Sequence, residues 1–194
     1  MSQVTKMNLL ATSPIRLCLL ALSLFLLHGC AGLTQEEQDA KRAELDQMSE
    51  KVIATLLKME PEAQAALDKS LGYAVIDMKV TKIPVFGAGG GLGVIVDKET
   101  GAHSYIKVSR FEVGGGLGAQ QYKVIIFFYD KKLLERAVAG AWHFEAGAEA
   151  TAGTTGTEGR VTAGDEGYRA FKIAEGGAAA TVTIRAAYAE PYLK

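Results

Sequence analysis

Residues 87–93 read Gly-Ala-Gly-Gly-Gly-Leu-Gly, and residues 114–118 repeat the pattern as Gly-Gly-Gly-Leu-Gly. The glycines at alternate positions are Gly87, Gly89, Gly91, Gly93, Gly114, Gly116 and Gly118. Residues two apart in a strand lie on the same face, so each stretch predicts a strand with one face free of side chains. Glycine weakens a strand, so such a stripe requires a reason. Close approach of a helix or a second sheet, or sharp bending of the sheet, would each supply one.

The second glycine stretch also fits the G-x-G-x-x-G/A pattern of dinucleotide-binding sites over residues 114–119. That pattern binds phosphate only where a helix follows directly. Residues 122–128 read Tyr-Lys-Val-Ile-Ile-Phe-Phe, which predicts a strand instead. The sequence therefore argues against nucleotide binding.

Further strands are predicted on both sides of the glycine stretches, with turns at 97–101 and 175–177 and a loop at 151–167. The predicted strands are 73–78, 85–96, 102–108, 112–120, 122–129, 142–150, 168–174 and 178–188. This spacing is typical of antiparallel hairpins.

Helical signals precede the strands. Thr34 and Glu37 form a capping box, and apolar residues then recur at steps of three and four. These residues are Leu45, Met48, Val52, Leu56 and Met59. Pro61 opens a second helix that ends near Gly72, and Asp130 caps a third. The predicted fold class is α+β, with N-terminal helices packed on a curved, mostly antiparallel, Gly-rich sheet or small barrel.

Residues 27–30 read Leu-His-Gly-Cys and end an apolar run that begins at residue 17. This looks like a lipobox, so we expect residues 1–29 to be a signal peptide and Cys30 to be acylated. Ala31 follows the cysteine, which favours the outer membrane, facing the periplasm, over other parts of the bacterial envelope. The alternatives are an ordinary signal peptide with a chance cysteine, or a single-span anchor.

The remaining chain is long enough for one domain with a core of its own. We expect residues 30–50 to be the anchor segment and the start of the first helix, and 51–194 to be the globular domain. The whole chain has 21 basic and 22 acidic residues, and Lys6 and Arg16 lie in the predicted signal peptide. The mature part is thus slightly acidic, which argues against nucleic acid as a partner.

The sequence shows no pattern of catalytic or metal-binding residues. His103 and His143 are forty residues apart without cysteine partners, so neither a metal site nor a cofactor is predicted. We expect a protein that is not an enzyme. The alternative is a hydrolase whose site lies around His143, Glu145 and Glu149.

A family resemblance rests on the order of these motifs. A helix around Pro61 is followed by Gly-Tyr-Ala-Val-Ile at 72–76 and by the glycine stretches at 87–94 and 114–120. Over residues 50–190 the chain resembles the SYLF domain, a lipid-binding module whose eukaryotic members bind phosphoinositides and actin. Bacterial relatives are commonly lipoproteins. The resemblance implies a curved sheet and lipid binding without catalysis.

Candidate lipid contacts are residues whose charge or apolar character suits headgroups or acyl chains. They are Lys79, Lys82, Phe86, Lys107 and Arg110. The alternative for Lys79 and Lys82 is a solvated loop. Residues 34–62 carry eight acidic and four basic side chains, so we expect their apolar stripe to pack on the sheet, not on an anionic membrane. The alternative function is a structural module that contacts another envelope protein.

Overall fold

The computed structural model describes residues 32–140, 143–154 and 167–193, with side chains for 32–140, 167–175 and 187–193. Cys30 and the predicted signal peptide lie outside the described residues, as does most of the predicted loop at 151–167. The elements in chain order are α1 Gln35–Met59, α2 Glu62–Lys69, β1 Gly72–Lys82, β2 Phe86–Asp97, β3 His103–Phe128, α3 Lys131–Val138, β4 His143–Thr154 and β5 Tyr168–Pro191. The predicted α+β class is confirmed.

The five strands form one antiparallel sheet in the order β1-β2-β3-β5-β4, with an additional pairing between β1 and β3. Residues 103–113 of β3 pair with β2, whereas residues 118–128 pair with β1. The β1–β2 hairpin therefore lies between two arms of one long strand, and β5 runs beside both arms. This arrangement curves the sheet, but the described strands leave it open, so of the two predicted forms the curved sheet is observed and the small barrel is not.

The two glycine stretches serve different purposes. Gly114, Gly116 and Gly118 lie between the arms of β3 with φ angles of 143°, 144° and 152°, which side chains disfavour. In β2, a Cβ on Gly91 would fall on the carbonyl oxygen of Asp77, and one on Gly93 would lie 2.5 Å from that of Val75. The glycines at 87–93 thus allow the neighbouring strand β1, rather than a helix, to pack closely against β2. The glycines at 114–118 allow β3 to bend.

Two long strands replace shorter predicted ones. β3 is continuous where three strands were predicted, and β5 is continuous where a turn at 175–177 was predicted. Tyr122 pairs with Ala174 and Gln121 with Gly176, so Glu175 is an extra residue, a β-bulge rather than a turn. Gly176 and Gly177 indicated a turn, but both pair with β3, and this pairing keeps β5 extended.

Several boundaries also differ from the predicted ones. β4 continues to Thr154, inside the predicted loop. α2 ends at Lys69 because Gly72, predicted as its end, already pairs with Asp97 as the first residue of β1.

Apolar clusters lie on both faces of the sheet. We call the face covered by α3 the inner face and the face covered by α1 and α2 the outer face. The inner cluster includes Ile76, Ile106, Ile126, Phe128 and Leu134. The outer cluster includes Val52, Leu56, Val75, Ile125 and Phe127, as predicted for the apolar stripe of α1. Met59, predicted to belong to that stripe, is 46% exposed because it ends the helix.

Two of the three predicted helix starts, at Thr34 and at Asp130, are confirmed by their hydrogen bonds. The Thr34 amide donates to Glu37 Oε2 at 2.8 Å, and the Glu37 amide donates to Thr34 Oγ1 at 3.3 Å. The Leu133 amide donates to the Asp130 side chain at 2.9 Å. At the end of α2, Lys98 Nζ donates to the carbonyl oxygen of Leu67 at 2.7 Å, a cap that the sequence did not reveal.

Candidate functional site

The predicted lipid contacts do not form one site. Alternation along β1 and β3 places Lys79 and Lys107 on the outer face, and Lys82 and Arg110 on the inner face. Phe86 begins β2 at the end of the sheet where β3 bends. Neither Lys79 nor Lys82 lies in a loop, so the alternative of a solvated loop is wrong.

Large apolar side chains are exposed where the β1–β2 turn meets the bend of β3. We call this group the apolar tip. Its members and exposed fractions are Ile83 59%, Val85 68%, Phe86 46%, Phe111 47%, Val113 60% and Leu117 64%. A patch of this kind on a soluble domain marks a surface that contacts a membrane, a protein or a ligand.

Backbone hydrogen bonds fix the shape of the apolar tip. The Gly114 amide donates to the Val85 carbonyl at 3.0 Å, and the Gly116 amide donates to the Pro84 carbonyl at 3.3 Å. Phe86 is the register partner of Val113, and its ring centroid lies 6.4 Å from that of Phe111. Backbone pairing therefore holds the turn and the adjoining strands in the position that exposes these side chains.

The inner face carries a charged cluster beside the tip. Lys82 is 3% exposed and Glu112 is 4% exposed, and both flank Gly87 in the ladder. Arg110 Nη2 lies 2.7 Å from Glu112 Oε1, and Arg110 Nη1 donates to the Tyr122 hydroxyl. We call Lys82, Arg110, Glu112, Tyr122 and Lys172 the inner polar cluster.

Positive charge exceeds negative charge within the inner polar cluster. Its described side chains are three cations and one carboxylate, and Lys172 Nζ lies 4.5 Å from the centre of the Tyr122 ring. Burial lowers the pKa of Lys172, and the nearby Arg110 lowers it further, while Glu112 acts in the opposite direction. Sequence reasoning missed Glu112, Tyr122 and Lys172, although Glu112 lies two positions after Arg110 and therefore on the same face of the strand.

A groove of 530 Å³ opens on the outer face between α1 and the strands. Lys41, Lys79 and Lys107 line it together with Glu44 and Asp77. Lys41 pairs with Glu44 at 2.8 Å and Lys107 with Glu190 at 3.6 Å, so the groove has mixed rather than positive character.

Asp77, one of the groove residues, also forms an ion pair with Lys123, with Oδ1 3.0 Å from Nζ. Glu175 in the bulge pairs with the same ammonium at 2.8 Å. Burial lowers the pKa of Lys123, but the two carboxylates together outweigh burial and raise it overall.

A small polar network joins α1 to β3. Asp46 contacts His103 Nδ1 at 2.8 Å and accepts from the Tyr105 hydroxyl at 3.0 Å. Burial, followed by that hydrogen bond, raises the pKa of Tyr105 to about 12. An Asp–His pair is one part of a nucleophilic triad, but here the adjacent hydroxyl is that of Tyr105, whose raised pKa makes it harder to deprotonate. The arrangement holds the helix on the sheet.

Neither a metal centre nor a spanning helix is found in the described part of the chain. Residues 32–140, 143–154 and 167–193 contain no group of three His, Cys, Asp or Glu side chains placed to hold a metal ion. Within the same residues, no helix combines the length and the apolar character needed to cross a bilayer. The side chains of His143, Glu145 and Glu149, the candidate hydrolase residues, lie outside those described.

Comparisons with known proteins give a distant relative. No protein-family model matches the chain. Over 117 residues, 60% of its length, the chain is 29% identical to Beta cell expansion factor A of Aeromonas veronii. The match spans 44% of that relative, so less than half of its length is represented.

Proposed function

We propose that this protein is a lipid-anchored lipoprotein of the bacterial envelope whose folded domain binds a membrane surface through the apolar tip, without catalysis. The observation that carries the proposal is the tip itself, where six large apolar side chains are exposed on the β1–β2 turn and the adjoining strands. The resemblance of the chain to the SYLF domain independently favours lipid as the ligand.

The magnitude of the expected contact is adequate for a membrane surface. Burying one large apolar side chain contributes about 1.5–3 kcal/mol, so inserting three of them gives on the order of 5 kcal/mol. That equals roughly the binding of one myristoyl chain, which is reversible by itself. The acyl chains expected on Cys30 would hold the protein at the membrane, and the tip would set how the domain meets the lipid.

The tip also fits a protein partner. Measuring how deeply the tip enters a bilayer distinguishes membrane binding from binding to a protein. We would replace Leu117 by cysteine, label it with an environment-sensitive fluorophore, and reconstitute the acylated chain in phosphatidylethanolamine–phosphatidylglycerol vesicles. Insertion predicts a blue-shifted emission that a lipid-borne quencher reduces. The matched control is a label at Glu99, in the exposed turn at the opposite end of β2.

Point variants provide a second measurement. Leu117→Asn is expected to remove most of the emission shift of a label placed at Val85, because a polar side chain opposes insertion. Leu71→Asn changes an apolar residue that is 39% exposed at the far end of β1, and should leave the shift unchanged. If both labels report water in the presence of vesicles, the domain does not insert, and the interaction module of the envelope becomes the better explanation.

A further inference from the structure

The inner polar cluster holds a buried ammonium group, that of Lys82, inside the sheet. Lys82 is 3% exposed, and within the described part of the chain its Nζ has no hydrogen-bond partner. An unpaired ammonium in such a position opposes folding, since desolvation is not offset by a counter-charge. The one described carboxylate of the cluster, Glu112, is engaged by Arg110 at 2.7 Å.

Groups that lower the stability of the folded state are typical of functional sites. Lys82, Arg110 and Lys172 approach the same region from three different strands. Gly87 lies between Lys82 and Glu112, and a Cβ there would come within 3.3 Å of Lys82 Cγ and 3.2 Å of Glu112 Cγ. The absence of a side chain at residue 87 is thus part of how the cluster fits.

We propose that the inner polar cluster is a binding site for a phosphate-type anion, with Lys82 as its central ligand and Arg110 and Lys172 as flanking cations. A phosphate group accepts several charge-assisted hydrogen bonds at once and would supply the counter-charge that Lys82 lacks. Arg110 is 12% exposed and Lys172 is half-buried, so solvent reaches this side of the cluster. The inference stands apart from membrane insertion by the tip.

Two sources carry this chemistry, a free phosphate and a phospholipid headgroup. The full chain is heated in sodium phosphate, in sodium chloride of equal ionic strength, and in chloride with water-soluble dihexanoyl phosphatidic acid. A ligand that binds only the folded state raises the melting temperature. A rise with inorganic phosphate supports a free anion, and a rise with dihexanoyl phosphatidic acid alone supports the headgroup.

Lys82→Met is the decisive variant, because methionine has a similar length and no charge. We expect its dissociation constant for the effective probe to increase at least about tenfold, since the central charge-assisted hydrogen bond is lost. In chloride alone it should melt at a higher temperature than the wild type, because the unpaired charge is gone. Lys79→Met, three residues away on the outer face, is the matched control and should retain the wild-type response.

The outcomes that would overturn the site are specific. The site is excluded if neither probe raises the melting temperature of the wild type. It is also excluded if Lys82→Met responds to the probes as the wild type does. If Lys82→Met does not fold, Lys172→Met provides the same comparison. Because no membrane is present, failure of tip insertion leaves these results unaffected, and their failure leaves the vesicle measurements unaffected.

Discussion

At the scale of single residues, the two glycine stripes differ in what a side chain would meet. Alternation at 87–93 and 114–118 correctly predicted strands, and bending was one of the reasons offered for the stripe. The sequence could not reveal that β1 approaches Gly91 so closely, because that approach depends on the register between two strands. It also could not reveal the burial of Lys82, since a lysine beside Ile83 reads equally as a solvated turn.

Gly91→Ala is expected to lower the free energy of unfolding by about 1–3 kcal/mol, the usual range for overpacking. The added Cβ would fall on the backbone of β1 and lie 2.6 Å from Met78 Sδ, so the strand itself must shift. Urea unfolding followed by circular dichroism measures the change. Gly115→Ala is the control, because nothing lies within 4 Å of that position, and it should stay within about 0.5 kcal/mol of the wild type.

At the scale of elements, helices were easier to predict than strand ends. Capping residues act within four positions, so Thr34 with Glu37 and Asp130 with Leu133 were legible in the sequence. The sequence did not reveal that β3 and β5 are each one continuous strand, because that continuity depends on pairing partners far away in the chain. Val138 is apolar but 36% exposed, since it is the last residue of α3.

Asp130→Ala should reduce the free energy of unfolding by about 1 kcal/mol, because the Leu133 amide loses its side-chain acceptor. Asp130→Asn retains an acceptor at the same distance from the backbone and should be nearly neutral. Equal losses in the two variants, measured by urea unfolding, would mean that the charge and not the cap matters.

The contact between α1 and β3 predicts a pH dependence at the alkaline end. Folding raises the pKa of Tyr105 from 10 to about 12, so its contribution to stability is complete below pH 10 and is lost as the pH rises to 12. Tyr105→Phe should be about 1 kcal/mol less stable than the wild type at pH 8. The difference between the two proteins should shrink from pH 10 to 12 in chemical unfolding experiments, and a constant difference would contradict the assignment.

At the scale of the whole molecule, the fold class followed from the sequence but the layout of the candidate site did not. Residues predicted to act together were divided between two faces of one sheet, and the exposed tip emerged only when the turn at 83–85 met the bend at 114–118. Lipid anchoring remains a prediction of the sequence.

Mass spectrometry of the protein from bacterial membranes tests that prediction. The N-terminal tryptic peptide is expected to begin at Cys30, to end at Lys41 and to carry the added mass of acyl chains. Cys30→Ser should abolish both the acyl mass and the removal of residues 1–29. An unmodified Cys30 in the wild-type protein would exclude the anchor.

The pairing of β3 with β5 bears on how the protein reaches this structure. Phe128 pairs with Tyr168 and Ile106 with Pro191, partners that lie 40 and 85 positions apart in the chain. Such a high contact order predicts folding in milliseconds to seconds rather than microseconds. One whole edge of β3 must therefore wait until residues 168–191 have been synthesised, and until then it offers an unpaired edge to which another chain can add a strand.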